Sequence, residues 1–129
     1  MPVIALSNPP GLRAPGSHYS HAVLVTGATR RLVISGQVGV AMDGTVPADP
    51  AAQMAQALDN LRAVLAGHDM EVRDLVKTTA FLTDRALIAP WRAAREHAFA
   101  GHAAASTLLI VAGLADPRWV VEIEAEATR

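Results

Sequence analysis

Apolar and polar positions change period several times along the chain, and each change marks an element. HAVLVTG at 21–27 and RLVISGQVGV at 31–40 are apolar runs rich in β-branched residues, separated by Ala28-Thr29-Arg30. That spacing predicts two strands joined as a hairpin. DGTVPADP at 43–50 is a turn-rich loop that ends in a helix start, with Asp49 as N-cap and Pro50 at the first helical position. Beyond it Met54, Ala57, Leu58, Leu61, Val64 and Leu65 recur three and four apart, so they form one buried face. Gln53, Gln56, Asp59, Asn60 and Arg62 are assigned to the wet face, and Gly67 closes the helix.

DLVKTTAFLT at 74–83 predicts a third strand, followed by a second helix opened by Pro90, with Trp91, Ala94 and Ala98 on its apolar side. Ser106–Ala112 is the fourth strand and WVVEIEAEA at 119–127 the fifth. Residues 7–18, SNPPGLRAPGSH, hold three prolines and two glycines and read as an extended arm. The order β-β-α-β-α-β-β, with two helices on one face of a mixed sheet, predicts a two-layer α+β fold in a single domain spanning 1–129. The strand at 75–83 alternates Val76, Thr78, Ala80 and Leu82 with Lys77, Thr79, Phe81 and Thr83, and neither set is cleanly polar. A half-apolar sheet face left uncovered predicts oligomerisation, with a ligand cleft between subunits.

Composition narrows the function classes. Hydrophobic residues make up 51% of the 129 residues, but aromatics only 4%, so Ala, Val and Leu carry the packing. There is no cysteine, which excludes disulfides, thiolate metal sites and a cysteine nucleophile. No run approaches the roughly 20 apolar residues of a membrane span, and the N-terminus shows no signal-peptide pattern, so a cytoplasmic location is expected. Eleven basic residues against twelve acidic ones leave a formal charge of −1, without the basic stripe that nucleic-acid binding needs.

Candidate chemistry is sparse. No dinucleotide, Walker, zincin or nucleophile-elbow string occurs. His18, His21, His68, His97 and His102 lack ligand spacing, which favours surface histidines over a metal site. Glu122, Glu124 and Glu126 alternate with Val121, Ile123 and Ala125, so the carboxylates share one strand face. That face reads either as the solvated side of an outer strand or as the source of one Glu turned into a cleft. Ser35-Gly36 interrupts an apolar strand, as a bulge or a ligand contact would. Tyr19, the single tyrosine, joins the arm to the first strand.

Six segments then combine: YSHAV (19–23), ISGQVGV (34–40), AQALDNLRAVLAG (55–67), LVKTTAFLTD (75–84), ASTLLIVAGL (105–114) and VEIEAEA (121–127). In this order they resemble the Rid family (reactive intermediate deaminases, YjgF-like, older label endoribonuclease L-PSP) over nearly the whole chain. The resemblance implies a chorismate-mutase-like homotrimer with clefts between subunits. Its best-known branch hydrolyses enamines and imines such as 2-aminoacrylate to 2-keto acids and ammonia, with no metal or organic cofactor. By position it carries substrate contacts onto Tyr19, Ser35, Gly36, Ser106 and Thr107, and the placement of the hydrolytic water onto Glu122. In that branch the strand after the second helix begins P-A-R-S and its arginine holds the substrate carboxylate. Here Ala104 replaces the proline and Ser106 the arginine, as in branches lacking that residue. A small-molecule ligand that is neutral, or anchored by Arg92, Arg95 or Arg118, is therefore implied, as is the alternative of a non-catalytic metabolite-binding or regulatory trimer. Ribonuclease activity follows only from the older label, and the balanced charge argues against it.

Overall fold

The computed structural model describes residues 2–129. Its strands are β1 (Val3–Ser7), β2 (Ala22–Thr26), β3 (Arg31–Val38), β4 (Leu75–Leu82), β5 (Ala105–Ile110) and β6 (Val121–Thr128). The helices are α1 (Pro50–Ala66) and α2 (Ile88–Phe99). Four strands form a mixed sheet in the order β3-β6-β4-β5, and β1 pairs with β2 separately. Strand β6 is antiparallel to both neighbours, whereas β4 and β5 are parallel and joined through α2, as parallel neighbours require a crossover.

The expected hairpin between 21–27 and 31–40 does not form. Strand β2 takes its antiparallel partner from β1, with Leu24 opposite Ala5. Strand β3 pairs instead with the far end of the chain, Leu32 opposite Ala127. The short link between β2 and β3 turns at Gly27 (φ +74°), and the N–H groups of Thr29 and Arg30 donate to the Arg129 carbonyl at 3.0 and 2.8 Å. The link's polar groups thus bond to the end of β6 rather than closing a two-strand turn.

Both helices pack on one face of the sheet. From α1 come Met54, Ala57, Leu58, Leu61 and Leu65; from the sheet Ile34, Ala80, Leu82, Val121, Ile123 and Ala125; and Trp91 and Phe99 from α2 complete the core. Each large side chain buried there contributes on the order of 1.5–3 kcal/mol. The Asp49 carboxylate caps α1 by accepting from the Ala52 N–H at 3.1 Å. Gly67 ends α1 in right-handed geometry, and the positive φ that turns the chain falls on Asp69 (φ 56°). Helix α2 begins two residues before Pro90, continuing a 3₁₀ turn at Arg85–Leu87. Proline is tolerated there because first-turn N–H groups have no intrahelical acceptor.

Helix α1 departs from its pattern at Gln53, assigned to the wet face but only 2% exposed. Its amide donates to the carbonyls of Pro47 and Arg118 at 2.9 and 2.8 Å and accepts from the Val120 N–H at 3.0 Å. One side chain thereby ties α1 to the loop that leaves β3 and to the loop that enters β6. Asn60 is also half-buried, donating to the carbonyls of Val38 and Val40 at 2.9 and 3.0 Å where β3 runs out. The helix approaches there so closely that a Cβ on Gly39 would stand 2.5 Å from the Gln53 carbonyl oxygen.

Gln53→Leu keeps the side chain's bulk but removes the amide's three hydrogen bonds to Pro47, Arg118 and Val120. It is expected to lower the unfolding free energy by about 2–4 kcal/mol, read from urea denaturation at fixed protein concentration. A loss below about 0.5 kcal/mol would mean that water replaces the amide at all three contacts.

Candidate functional site

The opposite face of the sheet carries no helix, and the alternation of β6 places Glu122, Glu124 and Glu126 on it. Because β6 is flanked by β3 and β4, these carboxylates do not lie on an outer strand. Their register sets Glu122 opposite Val38 and Phe81, and Glu126 opposite Val33 and Lys77. Between Ile34–Ala125 and Gln37–Ile123 the pairing shifts, so that Ser35 and Gly36 together face Glu124. This is a β-bulge, the structural alternative for the interrupted strand. It has a steric consequence: the Glu122 carboxylate lies over Gly36, where any Cβ would collide with it.

The bulge thus brings Ser35, Gly36 and Glu122 together on the open face. Beside them Val33, Ser35, Lys77, Thr79, Glu124 and Glu126 line a shallow cavity of about 210 Å³. Lys77 Nζ donates to Thr107 Oγ1 at 2.7 Å, which places Thr107 on the same face. Arg31 holds Glu126 at 3.0 Å. The face also exposes apolar groups: Val33 is 64% and Leu109 45% exposed.

Tyr19 and Ser106 lie elsewhere. Ser106 pairs with Thr78, whose buried Oγ1 stands 3.3 Å from Ser106 Oγ, so its side chain turns to the helix side. Tyr19 packs edge-on against His21, with ring centres 5.8 Å apart. The next residue, Ser20, bridges to Ala105, its N–H donating to the Ala104 carbonyl at 3.2 Å and its hydroxyl to the Ala103 carbonyl at 2.6 Å. The arm therefore docks at the head of β5. Glu122 is level with Phe81 and Leu109, two strands across and three residues along from Ser106, a Cα separation of about 14 Å by sheet geometry. A single chain therefore keeps the expected site residues in two separate groups: Ser35, Gly36 and Glu122 at the bulge, and Tyr19 and Ser106 at the head of β5.

The apolar pattern of α2 missed a charged residue. Arg95 lies one turn after Trp91, on the face that also buries Ala98 and Phe99, and it lines a cavity of about 450 Å³ between α2 and arm residues 15–18. Burial pushes its pKa below the usual arginine value, the Arg92 charge adds to the depression, and Glu96 opposes it. The signal was available in the spacing: Arg95 stands four after Trp91 and three before Ala98. Arg118, the other candidate anchor, is exposed and engaged by Asp116 at 2.9 Å, which lowers the Asp116 pKa and raises its own. The histidines have separate partners: His18 binds Glu96 at 2.7 Å, His21 the Arg13 carbonyl at 2.6 Å and His102 the Leu75 carbonyl at 2.7 Å. No helix among the described residues is long and apolar enough to cross a membrane.

Comparison with known proteins places this geometry. Residues 11–129 match the family model described as endoribonuclease L-PSP. The 2-iminobutanoate/2-iminopropanoate deaminase of Escherichia coli K12 is 42% identical over 103 residues, covering 76% of this chain and 79% of that protein. A Rid-family protein of unknown function, YyfB from Yersinia pestis, superposes with a TM-score of 0.88 at 30% identity, covering 98% of both chains. The E. coli YjgF structure gives 0.72 at 38% identity over 90% of this chain and 91% of its own. The two-layer α+β architecture is thus the chorismate-mutase-like fold of these proteins, and the chain belongs to the endoribonuclease L-PSP family, the Rid or YjgF-like proteins.

Proposed function

We propose that this protein hydrolyses small imines or enamines in clefts between subunits of a homotrimer, with Glu122 handling the water. The observation that carries this reading is the seating of the Glu122 carboxylate on Gly36 at the β3 bulge. There the missing side chain of Gly36 leaves room for a carboxylate to lie against the β3 backbone on the open face. In the proposed step Glu122 takes a proton from water as its oxygen bonds to the imine carbon. The C=N π pair moves to nitrogen, which takes that proton back from Glu122. The resulting carbinolamine expels ammonia and leaves the carbonyl product. Relatives named as 2-iminobutanoate/2-iminopropanoate deaminases support this substrate class.

The separation of these two groups of residues supports the homotrimer. Tyr19 and Ser106 of one subunit would meet Ser35, Gly36 and Glu122 of the next, and the exposed Val33 and Leu109 would be covered in the process. Thr107 would line the same cleft beside Lys77. One observation favours a second reading, a non-catalytic trimer that binds a small metabolite. By its resemblance to the family, Ser106 stands in the place of the carboxylate-binding arginine, and its hydroxyl is bonded by Thr78.

Three measurements test these readings. Light scattering should give three times the 13.5 kDa chain mass; a clean monomer would remove the shared cleft. Imines generated in situ by an amino-acid oxidase should be converted to keto acid in competition with semicarbazide, and Glu122→Gln should reduce kcat/KM by about 10²-fold or more. Unchanged turnover in that variant would sink the role given to Glu122, and an inert wild type that still binds keto acid would select the second reading. Gly36→Ala should displace the carboxylate, lowering turnover by about tenfold or more while the trimer persists.

A further inference from the structure

Arg95 stands where the helix pattern calls for hydrocarbon. It is only 5% exposed, between Trp91 and Ala98 on the core-facing side of α2. A guanidinium withdrawn from water is sustained by opposing charge and by acceptors for its five N–H groups. Arg95 has little of either. Its Nη2 makes one long bond, 3.4 Å, to the Ser17 hydroxyl, and its buried Nε–H has no acceptor among the described residues. Arg92 repels it from the same helix, and the neighbouring Glu96 is bonded to His18. The cation therefore faces the 450 Å³ cavity with bonding capacity unused.

We propose that Arg95 anchors a small carboxylate ligand in this cavity. The free part of its guanidinium takes the carboxylate, Arg92 adds positive charge at the rim, and Ser17 and His18 supply further polar contacts. A planar monoanion suits a single guanidinium. A phosphate dianion is disfavoured by Glu96, which lines the same cavity. The arm carries the site towards the proposed active cleft. Ser17 is three residues from Ser20, a span of at most about 10 Å, and Ser20 is bonded to Ala103 and Ala104 just before Ser106. Resting on the reading above, the carboxylate is that of the imino acid or its keto-acid product, and Arg95 on α2 supplies the charge that Ser106 on β5 lacks.

Pyruvate binding by calorimetry and thermal shift, on wild type, Arg95→Met and Arg95→Lys, tests the site. Wild type should bind pyruvate and melt higher in its presence, with pyruvamide and inorganic phosphate giving no comparable shift. Arg95→Met should bind pyruvate about tenfold more weakly or worse, with Arg95→Lys in between. Without ligand, Arg95→Met should melt at or above wild type, because it removes an uncompensated buried charge. Failure of wild type to bind pyruvate, equal binding by Arg95→Met, or an equal response to phosphate would each overturn the assignment. So would dissociation of the assembly in Arg95→Met, which would make the arginine a member of an intersubunit ion pair. Glu122→Gln separates the two proposals: it should lose turnover yet keep Arg95-dependent pyruvate binding.

Discussion

Strand β6 is hydrogen-bonded on both sides, to β3 and to β4, and most of the molecule follows from that double pairing. An interior strand cannot rotate its side chains away from the sheet faces. Val121, Ile123, Ala125 and Ala127 therefore enter the core beneath the helices, and Glu122, Glu124 and Glu126 are placed on the open face. A one-residue slip would bury three carboxylates and expose the apolar set, so the register is strongly specified. The open face thus keeps its acids at fixed positions, beside Lys77 and Thr107.

The bulge at Ser35-Gly36 modifies this frame at one point. An extra residue on β3 re-aims the strand, and the missing side chain of Gly36 makes room for the Glu122 carboxylate. The helix layer is held as specifically. The buried Gln53 amide satisfies itself on two carbonyls and one N–H of the adjoining loops, so α1 has one seat over the sheet. Arg95 has no such network. Gln53 is saturated, whereas Arg95 is left open beside a cavity.

Much of the architecture was legible in the chain. The α1 stripe from Met54 to Leu65, the Asp49 cap and the alternation of β6 are local patterns, set by helical and strand periods within a few residues. The strand partners were not legible. Proximity suggested a hairpin between β2 and β3, but β1 offered β2 an antiparallel edge, and β6, about ninety residues away, completed β3. Gln53 and Arg95 were read through the same local lens, one as wet and the other outside the apolar stripe. A polar residue in a core position reveals its role only when its partners, or their lack, are in view.

By itself, then, the sequence determined the element order, the helix faces, the shared side of the three glutamates, and the family to which six ordered segments point. Those properties depend on residue period and identity, which the chain carries directly. Only the tertiary structure decided that β6 is interior and that Ser35-Gly36 is a bulge beneath Glu122. It alone separated Ser106 from that carboxylate and left Arg95 buried against a cavity with its Nε–H unpaired. The physical reason is that pairing, burial and charge compensation are relations between distant segments, and a linear pattern cannot state them.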